Sequence, residues 1–111
     1  MDPGKLRHRV TLQQNNPSQD SEGVMTENWV NLATVWASIE PLQGRELLAA
    51  QAIAAEVTTR IRIRYREGIT SAMRVLYGSR VFDIQSSLDP EEKHQELHLM
   101  CREVMSGGRT A

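Results

Sequence analysis

Thr58-Thr59-Arg60-Ile61-Arg62-Ile63-Arg64-Tyr65-Arg66 alternates cationic and apolar side chains without a break from Arg60 to Arg66. A strand turns successive side chains to opposite faces. This period of two therefore predicts a ribbon with Ile61, Ile63 and Tyr65 on one side and the guanidinium groups of Arg60, Arg62, Arg64 and Arg66 on the other. Register follows from the same pattern, because a slip of one residue would drive arginines into the core. What covers the cationic face is the functional question. Solvent with scattered carboxylates is one answer, and an acidic partner, either nucleic acid or a neighbouring subunit, is the other.

The chain has 111 residues, 40% of them hydrophobic and 24% charged, which suits one soluble folded domain over residues 1–111. No apolar run is long enough to cross a membrane. The opening Met1-Asp2-Pro3-Gly4-Lys5 lacks the charged and then apolar regions of a secretory signal, so an intracellular protein is expected. The one cysteine, Cys101, excludes an internal disulfide and a cysteine-based zinc site. A formal charge of −1 contrasts with the local arginine density and argues against a dedicated nucleic-acid binder.

Outward from the arginine ribbon, Leu6–Gln14 reads as a first strand, with Leu6, His8, Val10 and Leu12 opposed to Arg7, Arg9, Thr11 and Gln13. Asn15–Gly23 is polar and holds Pro17 and Gly23, so residues 15–27 are expected to form a long exposed loop. Trp29–Leu42 is a second extended segment, ended by Pro41. Gly44–Glu56 favours a helix, with Leu47, Ala50 and Ala54 on one stripe, Glu46 at the positive end of its dipole, and no good cap at Gly44. Met73–Tyr77 and Arg80–Ser86 are two strands joined by a Gly78-Ser79 hairpin turn. Leu88–His94 is a turn, and Glu96–Met105 is a last strand with Leu97, Leu99 and Cys101 facing inward. The ends, residues 1–4 and 106–111, should fray. The expected fold is mainly β, a small antiparallel barrel of about six strands with one inserted α-helix and long loops. Its core is expected to hold Trp36, Ile39, Ile61, Ile63, Tyr65, Val75, Phe82, Leu97 and Leu99.

Catalysis needs a nucleophile beside a base, paired carboxylates, or a metal with an open position. No such set stands out, and the expectation is a non-enzyme without cofactor. Cys101 reads as a small core residue. His94, Glu96 and His98 fall at strand period, so they could present three metal ligands on one face, although this spacing is common. Asp89, Glu91 and Glu92 read as a solvated acidic tip. No phosphate-binding glycine loop occurs. The aromatic residues are only Trp29, Trp36, Tyr65, Tyr77 and Phe82, and Tyr65 lies on the face opposite the arginines, so the arrangement suits arginine contacts to a nucleic-acid backbone better than base stacking.

The order of motifs along the chain resembles the head-tail joining proteins of tailed bacteriophages, also called head closure, adaptor or stopper proteins. The residues that carry this likeness are Gly4-Lys5-Leu6-Arg7-His8-Arg9-Val10, Val35-Trp36-Ala37-Ser38-Ile39-Glu40-Pro41, Gly44-Arg45-Glu46, Thr59 to Arg66 with Gly68-Ile69, Met73-Arg74-Val75 and Phe82-Asp83-Ile84. The resemblance implies a β-barrel protomer in a homo-oligomeric ring under the portal of a DNA-filled capsid. It would be assembled in the bacterial cytoplasm and found in the virion at the head-tail junction. Its partners would be the portal or connector, a tail-proximal protein and packaged double-stranded DNA without sequence preference. Arg60, Arg62, Arg64 and Arg66 would then face either DNA or a neighbouring subunit, and residues 15–27 and 43–56 are both candidates for the element that reaches into the channel or rearranges on assembly. Exchanging Arg62 and Arg64 together for glutamate is expected to leave a folded monomer but to block ring assembly or DNA retention. The alternatives are a stand-alone nucleic-acid-binding barrel and a metal-dependent enzyme built on His94, Glu96 and His98.

Overall fold

The computed structural model describes residues 6–104. In chain order the elements are β1 (His8–Asn15), β2 (Ser18–Gln19), β3 (Met25–Thr26), β4 (Trp29–Pro41), α1 (Gly44–Ile53), β5 (Thr59–Arg64), β6 (Met73–Tyr77), β7 (Arg80–Leu88) and β8 (Glu96–Val104). Six of the strands close a barrel in the order β1-β4-β5-β8-β7-β6, with every neighbouring pair antiparallel. The mainly β architecture with one inserted helix is the one the alternation predicts, and closure leaves the barrel no free edge.

The arginine ribbon is β5, held between β4 and β8. Ile61 and Ile63 are fully buried, and they join Val10, Leu12, Ala37, Met73, Val75, Phe82, Ile84, Leu97, Leu99 and Cys101 in the barrel interior. Burying side chains of this size contributes roughly 1.5–3 kcal/mol each against the entropy of ordering them. Of the expected core, Ile39 and Tyr65 are half-buried at its margin. Trp36 is not in the core. It is 52% exposed because Val35 and Ala37 take the inward positions of β4, and Arg9 Cζ stands 5.4 Å from the centre of its ring. Bulk on both faces of that segment concealed the phase.

Two irregularities re-aim side chains. Between β1 and β4 the register shifts so that Leu12 faces Ala33 while Gln13 faces Asn31. Leu32 is the extra residue, and it is exposed. Between β7 and β8, Ile84 faces Cys101 while Ser86 faces Met100, leaving Gln85 unmatched. Without that bulge Leu88 would share the inward face of Phe82 and Ile84. With it, Leu88 stands opposite His98 on the outer surface, 52% exposed.

The expected long loop over residues 15–27 is exposed but ordered. Ser18 and Gln19 pair with Thr26 and Met25, and the Asn16 amide donates to the Asn28 carbonyl at 2.7 Å, so the segment extends the β1–β4 hairpin as an arm. Asp20 shapes its tip, accepting the amides of Glu22 and Val24 at 2.8 and 2.9 Å. Gly23 takes φ +87°, a conformation that side chains disfavour. The other hairpin forms as expected, with Tyr77 paired to Arg80 and Gly78 at φ +60°.

The helix α1 is shorter than the expected Gly44–Glu56, ending at Ile53, and its N-cap Gln43 makes no capping bond. Leu47, Ala50 and Ala54 are its half-buried stripe, while Leu48 and Ile53 are 71% and 88% exposed. Strand β5 stops at Arg64 rather than Arg66, and β7 runs to Leu88 rather than Ser86. The expected frayed ends and Met105 lie outside the described residues.

Candidate electrostatic interface

The four arginines of the ribbon divide into two pairs. Glu40 is the Cα partner of Arg60 across the β4–β5 ladder, and its Oε1 accepts from Arg60 Nε at 3.0 Å. Arg60 Nη1 donates to Glu46 of α1 at 2.9 Å, which ties the helix to the barrel. The other oxygen of Glu40 lies 2.9 Å from Arg62 Nε. That N–H is not aligned with it and has no hydrogen-bond partner, so the contact is an ion pair only. Arg62 is also 3.6 Å from Glu96.

Arg64 and Arg66 differ. The Cα partner of Arg64 is Glu96, yet the Glu96 carboxylate turns away to His98 Nε2 at 2.7 Å and to Arg62. Among the described residues Arg64 has no ion pair, and it is exposed. Arg66 lies beyond the end of β5, with a buried Nε that has no hydrogen-bond partner. Two of the predicted site residues are thus neutralised within the chain, and the other two have no ion pair among the described residues.

The pKa directions fit this division. Burial pushes the Glu40 carboxyl up, but hydrogen bonds from Ser38 and Arg60 and the charges of Arg62 and Arg60 outweigh it, leaving Glu40 below the ordinary glutamate range. Burial likewise opposes the charge on Arg60, and hydrogen bonds to Glu46 and Glu40 more than offset it.

His94, Glu96 and His98 do not converge. His94 precedes β8 with φ +56°, which breaks the strand alternation there. Its ring stacks on Tyr65 with centroids 4.5 Å apart, and its Nδ1 lies 2.5 Å from Asp89 Oδ2. Among the described residues no three His, Cys, Asp or Glu side chains are grouped to hold a metal. Glu91 and Glu92 are exposed, as expected of the acidic tip, whereas Asp89 is committed to His94. Cys101 is fully buried, and burial, with the nearby charge of Asp83, pushes its thiol pKa up.

A second polar row, invisible in the sequence, crosses the outer surface elsewhere. Asn31, Gln13, Arg74, Asp83 and Arg102 are successive register partners on β4, β1, β6, β7 and β8. Gln13 bonds Asn31 at 2.7 Å, Arg74 bonds Gln13 at 2.8 Å, and Arg102 bonds Asp83 at 2.6 Å. Arg74 also lies 4.0 Å over the Trp29 ring at the root of the hairpin arm. Only the pairing of strands brings these residues together, so no local pattern could have announced them.

The overall fold is shared with known proteins. A family model described as phage head completion protein matches residues 1–104. The chain belongs to that family. It is 32% identical over 75 residues to the head completion protein gp7 of Enterobacteria phage HK97, covering 68% of this chain and 67% of gp7. The solution structure of protein SF1141 from Shigella flexneri 2a superposes with a TM-score of 0.77 at 32% identity, over 95% of this chain and 98% of that one. A chain in the virion of a native gene transfer agent particle shares the fold, with a TM-score of 0.61 at 18% identity over 89% and 96% of the two chains. Head completion is a structural task of the phage virion, and the resemblance read from the motif order is to the same group of proteins. No helix among the described residues is long and apolar enough to cross a membrane.

Proposed function

We propose that this head completion protein acts at the head-tail junction, as a homo-oligomeric ring below the portal of a DNA-filled head. There it extends the DNA channel, helps to retain the genome and presents the surface on which the tail docks. Family membership supports the joining role. The observation that carries the electrostatic part is the unequal use of the ribbon, in which Arg60 and Arg62 are neutralised by Glu40, Glu46 and Glu96 while Arg64 and Arg66 have no ion pair among the described residues. A conduit must let DNA slide, so two such arginines per subunit, on a chain of net charge −1, suit its wall better than an unbroken cationic face. No catalytic step is assigned to it.

The test is to mix the purified chain with portal-bearing, DNA-filled heads that lack tails, and to follow binding by sedimentation and electron microscopy. Stoichiometric binding at the portal vertex with reduced DNA leakage is expected. Absence of binding to heads together with salt-sensitive binding to free DNA would overturn this reading in favour of a stand-alone nucleic-acid-binding barrel.

A further inference from the structure

Two apolar features of the surface are left uncovered by the described residues. One is a groove of about 380 Å³ between α1 and the outer face of β7–β8, lined by Ala50, Ile53, Ala54, Val57, Leu88 and Met100. It exists because the β7 bulge turns Leu88 outward and because α1 meets the barrel only along its narrow Leu47, Ala50 and Ala54 stripe. The other is the tip of the hairpin arm, where Val24 and Met25 are 55% and 61% exposed. That tip is built rather than loose: the Asp20 amide donates to the Val24 carbonyl, the Gly23 amide donates to the Asp20 carbonyl, and Gln19 Nε2 donates to the Gly23 carbonyl. Little conformational freedom would be lost on docking it.

The groove and the tip lie at opposite ends of β4. The arm leads into Trp29, and the chain passes from Pro41 through Leu42 to α1. The 13 residues of β4 span up to about 40 Å at strand spacing, in a molecule 48 Å long, so the two cannot meet within one chain. Their charges are complementary. Between Gln14 and Asn28 the arm carries Asp20, Glu22 and Glu27 and no cation, and none of the three has an ion pair among the described residues. At the groove Glu46 is taken by Arg60 and Glu56 lies 3.4 Å from Arg102. Arg45 in the first turn of α1 is exposed and has no ion-pair partner among the described residues. The segment after Val104 is an unsuitable occupant, since residues 105–111 hold only Met105 and Ala111 as apolar side chains.

We propose that the arm tip of one copy seats Val24 and Met25 in the α1–β7–β8 groove of a second copy, with the arm carboxylates facing Arg45. The contact joins unlike surfaces, so each copy offers one arm and one groove, and repetition gives a closed ring or an open chain. It deepens the ring proposed above and names the surfaces that mate within it.

The test uses full-length chains carrying Met25→Cys or Ile53→Cys, substitutions at exposed positions that circular dichroism checks for folding, while Cys101 is buried. A short bismaleimide is applied to each variant alone and to their mixture, free at high concentration and on tailless heads. Expected is a dimer in the mixture at a yield about tenfold above either variant alone, and a ladder from the double variant M25C/I53C. Leu88→Asp added to the Ile53→Cys partner, at another exposed position of the groove lining, is expected to cut that yield about tenfold or more, because an unpaired carboxylate resists burial. No excess product in the mixture, either in solution or on heads that bind the chain, overturns the proposal while leaving the joining role intact. Cross-linking in solution by a chain that fails to bind heads upholds this contact and overturns the joining role.

Discussion

Glu40 Oε1 stands 3.0 Å from Nε of Arg60, its Cα partner across the β4–β5 ladder, and the remaining oxygen of the same carboxylate faces Arg62. One carboxylate thus serves two of the four arginines of the ribbon, at about one quarter side-chain exposure. Glu40→Gln removes the charge while keeping the shape, and leaves two guanidinium groups crowded on one surface. A loss of about 1–3 kcal/mol in chemical denaturation at neutral pH is expected. Because the folded-state pKa of Glu40 lies below its ordinary value, its stabilisation is fully present above the usual glutamate pKa of about 4.3 and is lost as pH falls through the lower folded value. Glu40→Gln should therefore lose less stability between about pH 5 and pH 2 than the parent chain. An equal fall in the two proteins would show that Glu40 is not the group responsible.

The division of the ribbon sets a second contrast. Arg64→Glu replaces a side chain with no ion pair among the described residues and sets a carboxylate opposite Glu96, which is turned to His98 and Arg62, so it should cost no more than about 1 kcal/mol while weakening head binding or genome retention. Arg62→Glu would place a third carboxylate beside Glu40 and Glu96, and should cost about 2–4 kcal/mol. The two together are therefore a poorer test of assembly than Arg64→Glu alone, since Arg62 also holds the barrel. Thermal melts beside a head-binding assay decide the matter. Equal melting losses for the two single variants would contradict the division.

The strands were legible wherever one face had to be buried. Arg60 to Tyr65, Met73 to Tyr77 and Leu97 to Cys101 alternate because the barrel interior admits only apolar groups, and the Gly78 turn is chemically marked. What escaped the sequence depends on cross-strand neighbours. The bulges at Leu32 and Gln85 change phase without a local signal, and they decide that Leu32 and Leu88 face outward. The β2–β3 ribbon is held by backbone pairing and by Asp20, not by burial, so a polar composition read as a loop. The arginine face was legible as a face, but its pairing was not. Glu40 and Glu96 lie far from Arg62 in the chain and next to it in the sheet.

The root of the arm gives a third prediction. Trp29 carries the Arg74 guanidinium over its ring, 4.0 Å from the centre, and at its edge the Glu27 carboxylate accepts the indole N–H at 3.4 Å. Trp29→Ala should cost about 1 kcal/mol globally and loosen the arm far more than the barrel. Hydrogen exchange checks this at the amides of Asn16 and Asp20, which bond Asn28 and Val24, against the barrel amide of Thr58, which bonds Cys101. Faster exchange of the first two alone is expected. Uniform acceleration would mean that Trp29 supports the barrel rather than the arm.

Cys101 offers a probe of the barrel itself. Its side chain is fully buried, its thiol donates weakly to the Leu99 carbonyl at 3.4 Å, and burial pushes its pKa up. Thiolate is the reactive form, so a disulfide reagent should modify native protein only as fast as the barrel opens, with the rate rising steeply in denaturant. Cys101→Ser exchanges the sulfur for a more strongly hydrated hydroxyl in an apolar site and should cost about 1–3 kcal/mol. The raised pKa also fixes a sign. The unfolded thiol ionises above about pH 8.5 while the folded one stays protonated, so its contribution is complete below that pH and declines as pH rises toward the folded value. Cys101→Ser should flatten that alkaline decline. Rapid modification of the folded chain at neutral pH would place Cys101 at a gap in the barrel wall, and the closure between β7 and β8 would have to be reconsidered.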